Sequence, residues 1–248
     1  MQRPARETFR TKEELTNYLE RAIRDGELKP GERLPSEREL GLEYKVSRPV
    51  VREALRGLAE RGYIEVYPGR GSFVRAPDAA DLARPLVRIA TSAGVTSRNL
   101  VEAREMLECA AARAAAVNAS DEQITALGET LKAHQRATTL PGRAATDLAF
   151  HTMIAELSGN PVIGLMYGSI KAFVQGLMLR SHSDPTVHAT GDPLHQEIFQ
   201  HIRDHDADGA EMAMRKHIGL ALDLFGDDLD RPLVDVLTDR GINPDELT

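Results

Sequence analysis

The sequence predicts a mainly α protein in two parts: an N-terminal winged helix-turn-helix over residues 8–78 and a C-terminal all-α helical bundle over 79–230, followed by a tail at 231–248. Three observations carry this reading. Helix-start signals recur at short intervals in the first 50 residues, one pair of alternating runs surrounds a glycine-bearing turn, and the residues beyond keep helical periodicity without β-rich alternation.

The first helix opens at Thr11-Lys12-Glu13-Glu14, a capping box in which side-chain oxygens satisfy N–H groups that a helix start leaves unpaired. Leu15, Tyr18, Leu19, Ala22 and Ile23 recur behind it at helical spacing, and Gly26 stops it. Ser36-Glu37-Arg38-Glu39, just after Pro35, is a second box, opening a helix so short that Leu40 is nearly its one buried side chain. A third helix starts at Ser47, with Pro49 in the first turn where N–H groups lack partners anyway, and ends before Gly62. Ile64-Glu65-Val66-Tyr67 and Ser72-Phe73-Val74-Arg75, joined through Pro68-Gly69-Arg70-Gly71, read as a β-hairpin. Ala76-Pro77-Asp78-Ala79-Ala80-Asp81 reads as a linker. Helical stretches follow near 82–93, 98–118, 120–138, 142–158, 161–181, 190–206 and 208–226, and the segment after Arg231-Pro232 reads as peripheral. Gly159-Asn160-Pro161 marks one junction, with Gly ending a helix, Asn capping the next and Pro in its first turn.

Composition narrows the function classes. Hydrophobic residues make up 42% and charged residues 28% of 248, an ordinary globular balance that argues against a wholly disordered or collagen-like chain. Cys109 is the single cysteine, so no internal disulfide is available. No stretch reaches the roughly 20 apolar residues of a membrane span, and residues 1–7 lack the apolar run of a signal peptide, so a cytoplasmic protein with no membrane partner is expected. The net charge of −7 speaks against nucleic acid, but it is uneven: residues 1–78 hold 16 Lys+Arg against 14 Asp+Glu, residues 79–248 hold 15 against 24. An acidic chain can carry a locally basic module.

On a helical wheel of the third helix, Val51, Ala54, Leu55 and Leu58 share one arc, and Arg48, Arg52 and Arg56 occupy the adjoining one. Guanidinium groups bond guanine O6 and N7 in pairs or grip phosphates, and a helix of this diameter fits the major groove. Ser47 and Arg38, each at a helix start, are placed for phosphate or base-edge contacts, and Gly69 and Gly71 let the hairpin tip approach a nucleic-acid backbone. Spacing alone fits equally well a solvated face with Glu53 and Glu60 nearby. The strings Pro30-Gly31-Glu32-Arg33-Leu34-Pro35-Ser36-Glu37-Arg38-Glu39-Leu40, Val46-Ser47-Arg48-Pro49-Val50-Val51-Arg52-Glu53-Ala54-Leu55 and Gly69-Arg70-Gly71-Ser72-Phe73-Val74 closely resemble the DNA-binding domain of the GntR family of bacterial transcription regulators. The resemblance covers residues 8–78. It implies that Arg38, Arg48 and Arg52 contact double-stranded operator DNA, with Ser47 and Gly69 assisting.

A second constellation lies in the bundle. His151, His195 and His217 each sit mid-way across the apolar arc of a different helix, and Asp147 is the i−4 neighbour of His151 on the same face. A buried carboxylate is costly unless paired or metal-bound, and Asp-x-x-x-His offers an oxygen and a nitrogen that can converge on one ion. Satisfied core histidines would give the same pattern. His201 and His205, toward the arc's edge, read as structural or solvated. Arg104 also faces inward among Leu100, Leu107, Ala111 and Ala115 and needs an anion: either Glu108 or Asp147 in an ion pair, or the carboxylate of a bound ligand.

Glu102-Ala103-Arg104-Glu105-Met106-Leu107-Glu108, Asp147-Leu148-Ala149-Phe150-His151, Ser158-Gly159-Asn160-Pro161, His195-Gln196-Glu197-Ile198 and Met214-Arg215-Lys216-His217-Ile218 resemble the FCD-type ligand-binding domain of the FadR subfamily of GntR regulators. That resemblance implies a divalent metal on Asp147, His151, His195 and His217, with Zn²⁺ the first choice and Ni²⁺ or Mn²⁺ also suited to an N₃O set. It makes Arg104 the anchor of a small organic acid effector. The function this implies is a homodimeric repressor released from its operator by that acid, not an enzyme. The rival reading is a metal-dependent hydrolase or lyase with an appended DNA-binding module, since such a site can activate water; no further motif supplies its general base.

Overall fold

Capping chemistry sets the first elements. Thr11 Oγ1 accepts from Glu14 N at 3.2 Å and starts α1 (Lys12–Arg24). Ser36 and Glu39 form the complete reciprocal box at the head of α2 (Glu37–Glu43), whose one buried residue is Leu40. Ser47 precedes α3 (Arg48–Glu60), with Pro49 in its first turn. The computed structural model describes residues 9, 11–76 and 80–243. The chain divides into two compact units, Met1–Asp78 and Ala79–Thr248. The linker expected at 76–81 falls largely on 77–79, outside the described residues, and Ala80 already opens a helix.

In the first unit α1 packs on α3, and Leu15, Leu19, Leu40, Val51, Ala54 and Leu58 form the core. The hairpin β1 (Ile64–Tyr67) and β2 (Gly71–Val74) is antiparallel, with Ile64 opposite Val74 and Tyr67 opposite Gly71. One feature was not anticipated: residues 32–34 add a short edge to β2, through Leu34 N to Ser72 O and Val74 N to Glu32 O, both 2.8 Å. That pairing fastens the segment before α2 to the wing.

The second unit is helical throughout its described residues: α4 (Ala80–Ser92), α5 (Ser97–Asn118), α6 (Asp121–Arg136), α7 (Leu140–Leu157), α8 (Pro161–His182), α9 (Pro185–Arg203), α10 (Ala207–Leu224), a 3₁₀ turn (Gly226–Asp230) and α11 (Leu233–Asp239). Three expectations need correcting. Helix α9 starts five residues before the expected 190, because Asp184 accepts from Thr186 N and Val187 N and Pro185 takes the first turn, which leaves Pro193 inside the helix. The tail is not peripheral: α11 buries Leu233, Val236 and Leu237 and packs on α8, and Leu233 N bonds Val95 O at 3.0 Å. Finally, α8 is long and apolar enough to cross a membrane by length and composition, with a mean hydropathy of 1.5. Its Tyr167, Val174, Leu177, Met178 and Arg180 are nevertheless buried, and it packs on α4, α7 and α11, while Val162, Leu165 and Met166 near its start are exposed.

Candidate functional site

On the first unit, Val51, Ala54, Leu55 and Leu58 anchor α3 inward, and this turns its arginines out: the side chains of Arg48, Arg52 and Arg56 are 65%, 62% and 69% exposed. Ser47 makes no side-chain capping bond. Glu37 of α2 receives Arg52 in a forked pair, Nε to Oε1 and Nη2 to Oε2 at 2.9 Å each, and lies 3.7 Å from Arg48. The Arg52 hydrogen bond outweighs partial burial and holds the Glu37 carboxyl below its usual range. This clamp orders Arg52 on the exposed ridge. Arg56 instead pairs with Glu60 one turn on, the solvated arrangement that spacing alone allowed. Arg38 is exposed in the first turn of α2. Gly69, at φ +71°, holds a hairpin tip conformation that L side chains rarely adopt. A concave face lined by Arg33, Glu37, Arg52, Arg56, Tyr67 and Gly69 joins α3 to the wing.

In the second unit, one donor atom each from Asp147, His151, His195 and His217 lies within 4.8 Å of the others. Helix α7 supplies the first two, one turn apart on its buried face; α9 supplies His195 and α10 His217. Asp147 Oδ1 is 2.9 Å from His195 Nε2 and 3.2 Å from His151 Nε2, and the His195 and His217 rings are 4.2 Å apart. The two Asp147 separations are close to the edges, roughly 3.3 Å, of a tetrahedron with 2.0–2.1 Å metal–nitrogen bonds.

The protonation pattern is mixed: burial works against the charge on His151, but Glu108 and Asp147 outweigh it and raise this histidine above its usual range, whereas His195 and His217 are lowered. His151 Nδ1 contacts Glu108, and its buried Nε2 has no hydrogen-bond partner among the described residues; neither has the buried Nδ1 of His217. A neutral His151 donating Nδ1–H to Glu108 would turn its Nε2 lone pair toward the cluster, which is how a second carboxylate fixes a metal-ligating histidine. Burial, then the neighbouring imidazoles, holds His217 well below its usual pKa, and burial lowers His195, so both favour the neutral, ligating form. Burial alone would raise Asp147, but His195, the close approach of His151 and the bond from His182 drive it well down.

Arg104 is buried on α5 and bonds Glu108, Nε to Oε1 at 2.5 Å. It also lines a cavity with Asp147, His182, His195 and His217, so the ion pair and the cavity-facing position occur together. Burial works against the Glu108 charge, but Arg104 and then His151 outweigh it and hold that carboxyl at about 2. Sequence reasoning weighed Glu108 only as a partner for Arg104. It missed His182 and Asp192, which line the cavity, and His134, which groups with Asp192 and His195. His182 Nε2 bonds Asp147 Oδ2 at 2.9 Å, and His134 bonds Thr146 and Asp192 at 3.2 and 3.3 Å. The signal was present for His134, which continues the inward stripe Ile124, Leu127, Leu131, and for His182, one turn after Met178. His201 pairs with Asp206 and His205 with the Ala116 carbonyl, outside the cluster.

A winged unit presenting arginines and a helical unit with an inward donor set together define a two-domain DNA-binding regulator. Comparison with known proteins agrees. Residues 11–74 match the family described as bacterial regulatory proteins, gntR family, and residues 99–220 match the FCD domain. The HTH-type transcriptional repressor NanR of Klebsiella aerogenes is 33% identical over 215 residues, covering 83% of this chain and 82% of that protein. Its Escherichia coli K12 counterpart is 31% identical over 217 residues, covering 83% and 81%. Among solved structures, Streptococcus agalactiae GntR superposes with a TM-score of 0.65 at 26% identity, covering 85% of this chain and 98% of that one. The chain belongs to the GntR family of bacterial transcription regulators, of the FadR-like type that carries an FCD domain. It is therefore a DNA-binding regulator, and the hydrolase alternative is set aside.

Proposed function

We propose that this protein is a homodimeric repressor whose hold on operator DNA is controlled by a small organic acid bound at a divalent metal in the FCD domain. Arg38, Arg48 and Arg52 contact the duplex with help from Ser47 and Gly69, two copies reading the half-sites of a palindrome. Asp147, His151, His195 and His217 hold the metal, Zn²⁺ being preferred and Ni²⁺ or Mn²⁺ tolerated. When bound, the metal supplies positive charge and open coordination positions for a carboxylate. Arg104, kept charged by Glu108, grips the same acid. The acid releases DNA only so far as it binds better to a dimer geometry that misplaces the recognition helices.

The observation that supports the sensory half most directly is the unpartnered Nε2 of His151, oriented by Glu108 into a cluster of three other donors. Elemental analysis of the purified protein tests it, with His195→Ala alongside. One metal per chain in the wild type and a large loss in the variant are expected. A variant with full metal content and full acid response in a gel-shift assay would remove the site assignment.

A further inference from the structure

The two arginines in the first half of α3 share one carboxylate, Glu37 of α2. Glu37 meets Arg52 along one edge of the guanidinium, Nε donating to Oε1 and Nη2 to Oε2, each at 2.9 Å. Arg48 Nη2 lies 3.7 Å from the same Oε2, within reach of its charge but too far to hydrogen-bond. Arg56, by contrast, reaches Glu60 through Nε alone, one turn along its own helix.

A guanidinium holds its five N–H donors in one plane. The Glu37 fork takes Nε–H and one Nη2–H, and so leaves the edge formed by Nη1 and the outer Nη2–H. That edge can span guanine O6 and N7 side by side. Because the group is rigid, fixing one edge fixes where the other points. Folding stability is a poor reason for the pair, since the Arg52 side chain is 62% exposed and an exposed ion pair contributes little. Attraction to DNA is a worse one, because a carboxylate among arginines weakens their pull on phosphates. A negative charge in the middle of the ridge makes sense if it exchanges general attraction for discrimination.

We propose that Glu37 is a positioning residue for sequence specificity: it holds Arg52 by the Nε edge so that the Nη1/Nη2 edge reads one guanine in the major groove. This rests on the assignment of Arg52 to operator DNA given above, and adds what Arg52 reads and what aims it. The same carboxylate lowers the hold of the ridge on duplexes that lack that guanine, so the ratio of specific to non-specific binding rises even as the total attraction falls.

The test uses full-length wild type, Glu37→Ala, Arg52→Ala and the double variant. Each selects sites from a duplex pool with a randomised centre, each is titrated with the wild-type selected duplex and with a shuffled duplex of the same composition, and each is melted. The wild-type site is expected to contain a guanine whose preference is lost in Arg52→Ala. Glu37→Ala is expected to relax that same position and to lower the ratio of selected to shuffled affinity about tenfold, while its affinity for the shuffled duplex stays the same or rises. The double variant is expected to relax nothing beyond Arg52→Ala, the mark of a residue acting through Arg52. A Glu37→Ala protein that keeps the preference for that guanine overturns the proposal, whatever its total affinity. Equal weakening on both duplexes joined to a lower melting temperature also overturns it, since Glu37 then only supports the fold. A wild-type site in which Arg52→Ala relaxes no position overturns the DNA assignment of Arg52 and the role of Glu37 with it, whereas relaxation in Arg52→Ala but not in Glu37→Ala removes Glu37 alone.

Discussion

Glu108 faces two buried partners: both its oxygens accept from Arg104, and Oε2 also meets His151 Nδ1. Glu108→Gln keeps the shape and removes the charge, so both contacts suffer. Metal affinity is expected to fall about tenfold to a hundredfold, the usual cost of losing an orienting carboxylate. Thermal unfolding is expected to lose roughly 3–5 kcal/mol, because Arg104 is left as a buried charge without a partner. Chelator competition and a melting curve measure the two separately, and unchanged metal affinity would show that His151 needs no such support. At the other end of the chain, Arg52 in the free protein is held by Glu37. Arg52→Ala is expected to weaken operator binding by about 1–3 kcal/mol. A base-reading role predicts a smaller loss on non-specific duplex in the same gel-shift series; an equal loss on both would assign Arg52 to the phosphates.

At the scale of elements, α9 opens on its own Asp184–Pro185 cap, a local signal, whereas α11 depends on what it packs against. Wheels and caps report a helix's own pattern, and they placed α3, α5, α7 and α10 well because those helices bury broad apolar faces. They failed on α11, whose seven residues carry too little periodicity to stand alone and gain stability from what they pack against. The 3₁₀ turn before α11 supplies an anchor of this kind. Asp228 accepts from Arg180 at 3.0–3.1 Å and from Arg240 at 2.5 Å, and Arg180 also reaches the Phe225 carbonyl at 3.2 Å and stacks 3.9 Å above the Phe225 ring. Partial burial raises the Asp228 carboxyl, but the Arg240 bond and the two arginine charges more than offset it, so its folded pKa lies below the ordinary 3.8. A depressed carboxylate contributes stability above its unfolded pKa and loses it as pH falls through the folded value. Asp228→Asn is therefore expected to be less stable than wild type by about 2 kcal/mol near neutral pH, the gap closing below about pH 4. A gap of constant size down to pH 2 would show that the charge contributes nothing. Leu237→Ala is expected to cost about 2–5 kcal/mol by the same urea titrations, whereas a peripheral tail would lose almost nothing.

For the whole molecule, what could be read in advance was the separation of tasks: a winged unit with a small positive excess of charge and an acidic helical unit with its own cores. The four donors were legible because three histidines on three helices each fell mid-arc. Their convergence, and the second ring of His134, His182 and Asp192, depended on tertiary packing that no single helix encodes. Those two units, with separate cores, lead to an expectation about metal removal. If the proposed metal is bound, stripping it takes a ligand from the FCD domain alone and lowers that unit's stability by RT ln(1 + [metal]/Kd), about 2.7 kcal/mol at a hundredfold excess over Kd. The arginine ridge on α3 owes its position to Val51, Ala54, Leu55 and Leu58, not to the donor cluster. Chelated protein is therefore expected to retain operator affinity within a few fold while its release by acid is lost, and zinc is expected to restore the release. Titrating operator with holo and chelated protein, with and without acid and at two salt concentrations, resolves the two terms, because the phosphate contribution weakens with salt equally in both. If operator affinity instead collapsed on chelation while the winged unit stayed folded, the metal would be holding the DNA-binding geometry itself, and the acid would then act by competing with that structural role instead of biasing a metal-loaded dimer.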